Sequence, residues 1–165
     1  MHKVLVVDDE EPILELLKYN LEKSGYEVKT ALDGAKAVDI AKKFIPDLVL
    51  LDIMMPKMDG VETCRLLRDI PELQKMFVVF LTARSEEYSE VAAFDVGADD
   101  YINKPIKPRA LMSRISALFR RDSKKSSPTT TITIGDLTID RTSYTIKIKD
   151  REINLPKKEF ELLFF

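Results

Sequence analysis

The sequence contains a single cysteine, Cys64, which excludes a disulfide bond within the chain and is typical of proteins of a reducing compartment. It also lacks any apolar stretch near the roughly 20 residues that a membrane-spanning helix needs. The first apolar run, Val4–Val7, is too short for the core of a signal peptide because Asp8 interrupts it. We therefore expect a cytoplasmic protein that does not enter a membrane.

An excess of basic residues is absent as well. The 165 residues include 26 Lys and Arg against 28 Asp and Glu, which gives a formal net charge of -2. A protein whose whole surface follows nucleic-acid phosphates would be strongly basic, so any contact with nucleic acid must be local. A composition that is 45% hydrophobic and 33% charged is that of an ordinary globular protein. This length accommodates one large domain, or one domain and part of another.

Short apolar runs alternate with helical patterns over residues 1–121. The runs begin near Lys3, Tyr26, Leu48, Phe77 and Asp100. Such alternation predicts an α/β domain with a parallel sheet and helices on both faces, and right-handed crossovers leave few possible topologies. We expect a flavodoxin-like fold of five strands in the order 2-1-3-4-5.

A helix is predicted after each strand from the spacing of apolar residues. The inward face of the first helix is predicted to consist of four residues: Ile13, Leu16, Leu17 and Leu21. The fourth helix is expected over Glu86–Val96, and the fifth is expected from about Pro108 to Arg121.

The composition changes after the fifth predicted helix. Residues 122–131 contain no large apolar side chain and are predicted to form a linker, which spans about 15 to 20 Å as a flexible coil. Residues 132–154 alternate apolar and polar residues between turns, which predicts an antiparallel meander. A helical pattern begins at Leu155. Because so small a sheet cannot close a core, residues 132–165 are expected to be the first part of a longer domain.

The third predicted strand carries the most informative residue of the chain. Its apolar run begins at Leu48 and is interrupted near its end by one carboxylate, Asp52. Ligands of open parallel sheets bind outside the carboxyl ends of the strands, so Asp52 lies where a site is expected.

Four further polar residues follow predicted strands: Asp8, Asp9, Thr82 and Lys104. The three carboxylates would raise one another's pKa unless a cation lies between them. Mg²⁺ suits this position, because it prefers oxygen ligands and commonly uses one or two carboxylates with phosphate oxygens. An ionised Asp52 could then attack phosphorus and form an aspartyl phosphate, assisted by the positive charge of Lys104 and the hydroxyl of Thr82.

Each of these residues also has an ordinary structural explanation. Asp8 and Asp9 suit the cap of the first helix, a threonine after a strand commonly caps a helix, and a lysine before proline is commonly a solvated surface residue. The coincidence of all five polar residues at strand ends favours a functional site.

Several motifs at these strand ends resemble those of one known family: Val7–Glu10, Leu51–Pro56, Asp59–Gly60, Leu81–Ala83, Gly97–Tyr101 and Lys104–Pro105. Residues 1–121 as a whole resemble the receiver domain of bacterial two-component response regulators. The resemblance implies that a partner sensor histidine kinase phosphorylates Asp52.

The resemblance also implies a magnesium site and its ligands. Asp9 and Asp52 would bind Mg²⁺ directly, Asp8 would act through water, and the Met54 carbonyl would complete the protein's share. The family usually has a cis peptide bond before the proline that corresponds to Pro105.

Further positions are implied to transmit the phosphorylation signal. Thr82 and Tyr101 would form the switch pair, and Lys104 would contact the phosphoryl group. Three charged residues match positions used for dimerisation through the fourth helix, the fifth strand and the fifth helix: Asp100, Arg114 and Arg121. We therefore expect a homodimer on phosphorylation.

The second part of the chain is similar to the start of the winged-helix DNA-binding domain of the OmpR/PhoB subfamily. That domain opens with a four-stranded sheet, and Leu155–Leu163 resembles its first helix. The sequence ends before a recognition helix or wing. DNA binding is therefore implied for a complete protein and is not expected from this chain.

A phosphoacceptor switch of this kind would not be an enzyme in the usual sense. Three other functions are alternatives to it. An aspartyl phosphatase generally needs a second carboxylate two residues after the nucleophile, where Met54 cannot transfer a proton. A flavin carrier would need a Ser/Thr/Gly-rich phosphate loop after the first strand, which is lacking. A receiver-like interaction module that never accepts phosphate is the remaining alternative.

A further hypothesis concerns the lifetime of the phosphorylated state. Met54 and Arg84 each lie two positions beyond a key residue and are expected to border the phosphoryl group. Because a thioether orients an attacking water poorly, we expect slow loss of phosphate.

Overall fold

The apolar runs in the first part of the chain form one parallel sheet in the computed structural model, which describes residues 1–83, 95–125, 131–140, 145–149 and 151–154. Its strands are β1 (Lys3–Val7), β2 (Glu27–Ala31), β3 (Leu48–Asp52), β4 (Phe77–Thr82) and β5 (Asp100–Asn103). They pair in the order β2-β1-β3-β4-β5, and every pair is parallel. The predicted flavodoxin-like topology is therefore confirmed.

Helices follow β1, β2, β3 and β5 as the periodicity predicts. The described helices are α1 (Glu11–Lys23), α2 (Gly34–Phe44), α3 (Gly60–Arg68), a 3₁₀ turn (Pro71–Leu73) and a final helix (Pro108–Lys125), here named the long helix. Aspartates cap two of them, since Asp33 accepts from the Lys36 N–H and Asp59 accepts from the Glu62 N–H, each at 2.8 Å. No helix among the described residues is long and apolar enough to span a membrane.

The central strands are buried on both faces, as their near-continuous apolar sequence predicts. Every residue of β3 is buried, and Cys64 of α3 is fully buried, where burial raises the pKa of its thiol. The predicted inward face of α1 is partly wrong. Leu17 and Leu21 are buried with Leu14, whereas Leu16 is 46% exposed, because the buried stripe follows a spacing of three and four residues that begins at Leu14.

The long helix is longer than the sequence predicts. It continues to Lys125, so the first residues of the predicted linker are helical, and β6 begins at Thr131. This helix crosses the boundary between two compact units, Met1–Ile115 and Ser116–Phe165. The division into domains after residue 121 stays a prediction.

Several other predictions lie outside the described residues. They concern nearly all of the fourth helix expected over Glu86–Val96, residues 126–130 of the linker, Arg84, and the helix expected over Leu155–Leu163.

The second unit contains the expected antiparallel sheet. Its strands are β6 (Thr131–Ile134), β7 (Leu137–Asp140), β8 (Thr145–Ile148) and β9 (Arg151–Asn154), paired in sequence order. The turn between β6 and β7 contains Gly135 at a φ of 60°, a left-handed conformation that glycine adopts without a steric penalty.

Gly60 positions the start of α3 directly against the end of β3. Its N–H donates to the Ile53 carbonyl at 2.8 Å. A Cβ atom at this position would overlap the Asp52 carbonyl oxygen and lie 2.8 Å from the Ile53 Cα. Only glycine therefore allows the helix to begin this close to the strand that carries Asp52.

Replacing Gly60 with alanine is expected to lower the free energy of unfolding by roughly 1–3 kcal/mol, because the added methyl group must displace backbone atoms. Chemical denaturation measures the change. Gly25→Ala is the comparison. Nothing lies within 4 Å of its added Cβ, so its cost comes from the strained φ of +91° and not from overlap with other atoms. A Gly60→Ala protein as stable as the wild type would contradict the close packing.

Candidate functional site

Three carboxylates meet at the carboxyl edge of the sheet. Asp8 directly follows β1, and Asp52 ends β3, the strand that pairs with β1. Asp8 is fully buried, Asp52 is 5% exposed, and Asp9 is exposed. Carboxylate oxygens of the three residues lie within 4.8 Å of one another. The strand order thus brings together side chains that are far apart in sequence.

Asp8 is held rigidly by the elements around it. Its Oδ1 accepts from the Glu10 N–H at 2.9 Å, and its own N–H donates to the Ala31 carbonyl at 3.2 Å. Its Oδ2 lies 3.1 Å from the Lys104 Nζ. Both carboxylate oxygens therefore have partners, which is how a buried charge is accommodated.

Lys104 links the two buried carboxylates. Its Nζ lies 3.1 Å from Asp8 Oδ2 and 3.3 Å from Asp52 Oδ1. Its backbone N–H donates to the Thr82 carbonyl at 2.7 Å, which extends the pairing of β4 with β5. The Lys104–Pro105 peptide bond is cis. The lysine thus enters the site from the end of β5.

The electrostatics of the site favour cation binding. Burial raises the pKa of Asp52 to about 7, the charge of Asp8 adds to the rise, and Lys104 only partly offsets it. Burial alone would lower the pKa of Lys104, but its hydrogen bond to Asp8 and the charge of Asp52 outweigh burial and raise it. Even with the lysine present, negative charge is in excess.

These carboxylates suit a divalent cation that prefers oxygen ligands. Asp8, Asp9 and Asp52 can each offer a carboxylate oxygen to one ion, and burial together with the charge of Asp8 raises the pKa of Asp52. Mg²⁺ commonly takes one or two carboxylates and completes its shell with water and phosphate oxygens. The donor set therefore fits the magnesium site expected from the sequence.

Thr82 and Tyr101 lie on the neighbouring strands. Thr82 is fully buried at the end of β4, one position beyond the residue paired with Asp52, and its hydroxyl donates to the Ala83 carbonyl at 3.1 Å. Tyr101 is half-buried on β5, and its ring centroid lies 6.2 Å from that of Phe80. The two proposed switch residues thus lie on adjacent strands, on the side of the site away from Asp8.

Two of the charged residues expected at a dimer face pair within one chain. The Arg114 Nη1 lies 3.0 and 3.2 Å from the two carboxylate oxygens of Asp100, and it also donates to the Tyr101 carbonyl at 2.8 Å. Arg121 is exposed on the long helix. Asp100 and Arg114 thereby connect β5 to the long helix beside Tyr101.

Met54 is 61% exposed beyond the end of β3, two residues after Asp52. It offers no proton donor or acceptor of the strength that an aspartyl phosphatase would need at this position. Arg84, expected to border the same space, lies outside the described residues.

Two features of the site could not be identified by reading along the sequence. The motif Asp59–Gly60 includes Gly60, but the sequence does not predict its close approach to the Asp52 carbonyl. Full burial of Asp8, with a partner for each oxygen, was not foreseen either. The contacts that define each feature are not encoded locally, because each depends on an atom contributed by another element.

Replacing Asp52 with asparagine is expected to stabilise the protein progressively as the pH rises from about 3.8 to about 7, in the absence of divalent cations. In this range the unfolded carboxyl loses its proton while the folded one retains it, so ionisation favours unfolding; above it the effect is constant. Denaturation of both proteins across the range measures the difference. Asp39→Asn, at an exposed position of α2, controls for the lost charge. A difference that does not vary with pH would contradict the raised pKa.

Comparisons with known proteins agree with this geometry. Residues 4–116 match the response regulator receiver domain family. The chain is 44% identical to the alkaline phosphatase synthesis transcriptional regulatory protein PhoP of Bacillus subtilis, over 99% of this chain and 70% of that protein.

Solved structures with similar folds lead to the same family. The response regulator DrrB of Thermotoga maritima, an OmpR/PhoB homologue, is 36% identical, with a TM-score of 0.66 over 100% of this chain and 71% of that chain. A CheY-like receiver domain protein from Methanospirillum hungatei is 29% identical, with a TM-score of 0.72 over 76% of this chain and 99% of that chain. The acidic site, the sheet order and these similarities together show that the chain belongs to the two-component response regulators, with a receiver domain of the OmpR/PhoB type.

Proposed function

We propose that Asp52 is the phosphoacceptor of this receiver domain and that it takes its phosphoryl group from a sensor histidine kinase in a Mg²⁺-dependent reaction. The observation that carries the proposal is the position of Asp52: a nearly buried carboxylate at the end of a central strand, beside two other carboxylates and a lysine. Buried carboxylates grouped at one sheet edge lower the stability of a fold, so their presence favours a functional site over a structural explanation.

The transfer is a nucleophilic substitution at phosphorus. A carboxylate oxygen of Asp52 attacks the phosphohistidine phosphorus, the P–N bond breaks, and the imidazole leaves with the electron pair and takes up a proton. Bound Mg²⁺ supplies positive charge that neutralises the phosphoryl oxygens. Asp9 and Asp52 would bind it directly, with Asp8 acting through water and the Met54 carbonyl as a further ligand.

Lys104 is assigned the second positive charge of the site. Its ammonium group already lies 3.3 Å from Asp52, within reach of an oxygen attached to that carboxylate. A lysine is a mobile point charge, so it can exchange one carboxylate oxygen for a phosphoryl oxygen. Thr82 offers a neutral donor: its buried hydroxyl lies on β4, one position beyond the residue paired with Asp52.

Signal transmission is proposed to run through Thr82 and Tyr101. A phosphoryl group adds charge and strong acceptors, and Thr82 moves to donate to them. Space left by this movement allows the half-buried Tyr101 ring to turn inward. Arg114, which pairs with Asp100, also donates to the Tyr101 carbonyl, so the ion pair is joined to the backbone of the switch residue.

The functional outcome is proposed to be dimerisation and control of transcription. Asp100, Arg114 and Arg121 would contribute to a face through which two phosphorylated copies pair. Pairing would place two DNA-binding domains on repeated half-sites in a complete protein.

Incubation of the protein with acetyl phosphate and Mg²⁺ is expected to add one phosphoryl group, because Asp52 is ionised and accessible to a small donor when its charge is compensated. Intact-mass spectrometry measures the uptake, which Asp52→Asn and chelation of Mg²⁺ are each expected to abolish. Asp39→Asn, which removes an exposed carboxylate of α2, should label like the wild type. Labelling of Asp52→Asn at the wild-type rate would defeat the assignment.

Replacing Met54 with asparagine is expected to shorten the lifetime of the phosphorylated protein several-fold, since an amide can orient an attacking water and a thioether cannot. The decay of the phosphorylated mass after removal of the donor measures this lifetime. Leu66→Asn makes a comparable change at an exposed apolar residue of α3. Equal lifetimes for Met54→Asn and Leu66→Asn would count against a function of Met54 in timing.

A further inference from the structure

Arg68, the last residue of α3, binds two separate segments of the chain with one guanidinium group. Its Nη1 donates to the Met76 carbonyl at 2.6 Å and to the Gln74 carbonyl at 3.2 Å, just before β4. Its Nη2 donates to the Gly97 carbonyl at 2.9 Å and lies 3.5 Å from Asp99 Oδ2, just before β5. These contacts lie at the edge of the sheet opposite Asp52.

Asp99 strengthens the same junction. Its Oδ2 accepts from the Val78 N–H at 2.8 Å, and its own N–H donates to the Val78 carbonyl at 2.8 Å. The Arg68 side chain is 23% exposed and that of Asp99 34%, so the ion pair itself is partly screened by solvent. The bond from Arg68 to the Met76 carbonyl and that from the Val78 N–H to Asp99 are partly buried, whereas the bonds to the Gln74 and Gly97 carbonyls are exposed. We name this set of contacts the Arg68 clamp.

Gly97 lets its carbonyl approach the guanidinium. Its φ of +84° lies in the left-handed region, which a residue with a side chain adopts at a cost. One turn earlier on α3, the Cys64 Sγ lies 3.8 Å from the Val96 carbonyl. Two successive turns of α3 thus contact the segment that leads into β5.

The opposite end of α3 touches the phosphoacceptor strand. Gly60 begins the helix, donates to the Ile53 carbonyl and leaves no room for a Cβ against the Asp52 carbonyl oxygen. A helix of nine residues is about 13.5 Å long. One rigid element therefore contacts both Asp52 and the start of β5, the strand that carries Tyr101.

We propose that Arg68 is a positioning residue of the switch: by holding Gly97 and Asp99 against the end of α3 it anchors the start of β5, and phosphorylation of Asp52 alters the surface around Tyr101 only while this anchor is intact. The inference rests on the proposed phosphoacceptor function of Asp52. Within the described part of the chain, Arg68 contacts neither Asp52 nor the proposed Mg²⁺ ligands, so it acts through α3 and the entry of β5. If the start of β5 were not held, the movement of Thr82 would displace the strand itself and would leave the position of the Tyr101 ring unchanged.

The test separates phosphoryl uptake from the response to it. Hydrogen exchange of peptides covering residues 100–114 is measured in the 165-residue chain with and without Mg²⁺ and beryllofluoride, a stable mimic of the phosphoryl group. In the wild type the mimic is expected to change the exchange rates. The response is the ratio of the exchange rates with and without the mimic. In Arg68→Ala this ratio is expected to be smaller than in the wild type by a factor of at least roughly five, the lower end of usual coupling strengths. Labelling by acetyl phosphate should remain near the wild-type level.

Arg65→Ala is the matched control, since it removes the same charge from an exposed position on the same helix. It should respond like the wild type. Normal labelling with an undiminished response in Arg68→Ala would overturn the inference and leave the proposed function intact. Absence of labelling in the wild type would overturn both.

Arg68→Lys keeps the inference testable if Arg68→Ala does not fold. A lysine ammonium retains the charge, but it lacks the fork that binds the segments before β4 and β5 simultaneously. Its response to the mimic is expected to be smaller than that of the wild type. A full response in a folded Arg68→Lys protein that takes up phosphate normally would overturn the proposal.

Discussion

The ammonium group of Lys104, shared between Asp8 and Asp52, is the interaction on which the site depends. Two nearly buried carboxylates within 4.8 Å of each other repel strongly, and Lys104 is the cation that the described residues bring between them. Its compensation is incomplete, since the pKa of Asp52 remains near 7. The site is consequently poised to take up further positive charge, and a charged ligand changes its energy more than any neutral contact would.

The surrounding fold holds the repelling carboxylates of Asp8 and Asp52 close together. β1 and β3 pair residue by residue up to Val7 and Leu51, so the two carboxylates cannot separate without breaking the centre of the sheet. The Glu10 N–H holds Asp8 from the helix side, and Gly60 brings α3 against the Asp52 carbonyl. Because the backbone is fixed, a change of charge is expressed in side chains that can move. The side chains proposed to move are those of Lys104, directly after the edge strand β5, and Thr82 at the end of β4.

In the proposed switch, α3 is a second route by which the change of charge reaches β5. One of its ends packs on the strand that carries Asp52, and the other is bound through Arg68 to the segments before β4 and β5. β5 in turn carries Tyr101, and Asp100 pairs with Arg114 of the long helix. The elements that border the site at one sheet edge are therefore also bound at the opposite edge, as the proposed positioning function of Arg68 requires.

The sequence alone determined the sheet order and the residues that gather at its carboxyl edge, because apolar runs define strands and the exits of parallel strands converge. It did not determine which face of α1 is buried, where Leu16 was misplaced, or that the long helix continues to Lys125. Only the tertiary structure decided that Lys104 reaches both Asp8 and Asp52, that Gly60 touches the Asp52 backbone, and that Arg68 joins the starts of two strands. Each of these depends on distances of a few ångströms between side chains and backbone from different elements, which packing sets and local sequence patterns do not encode.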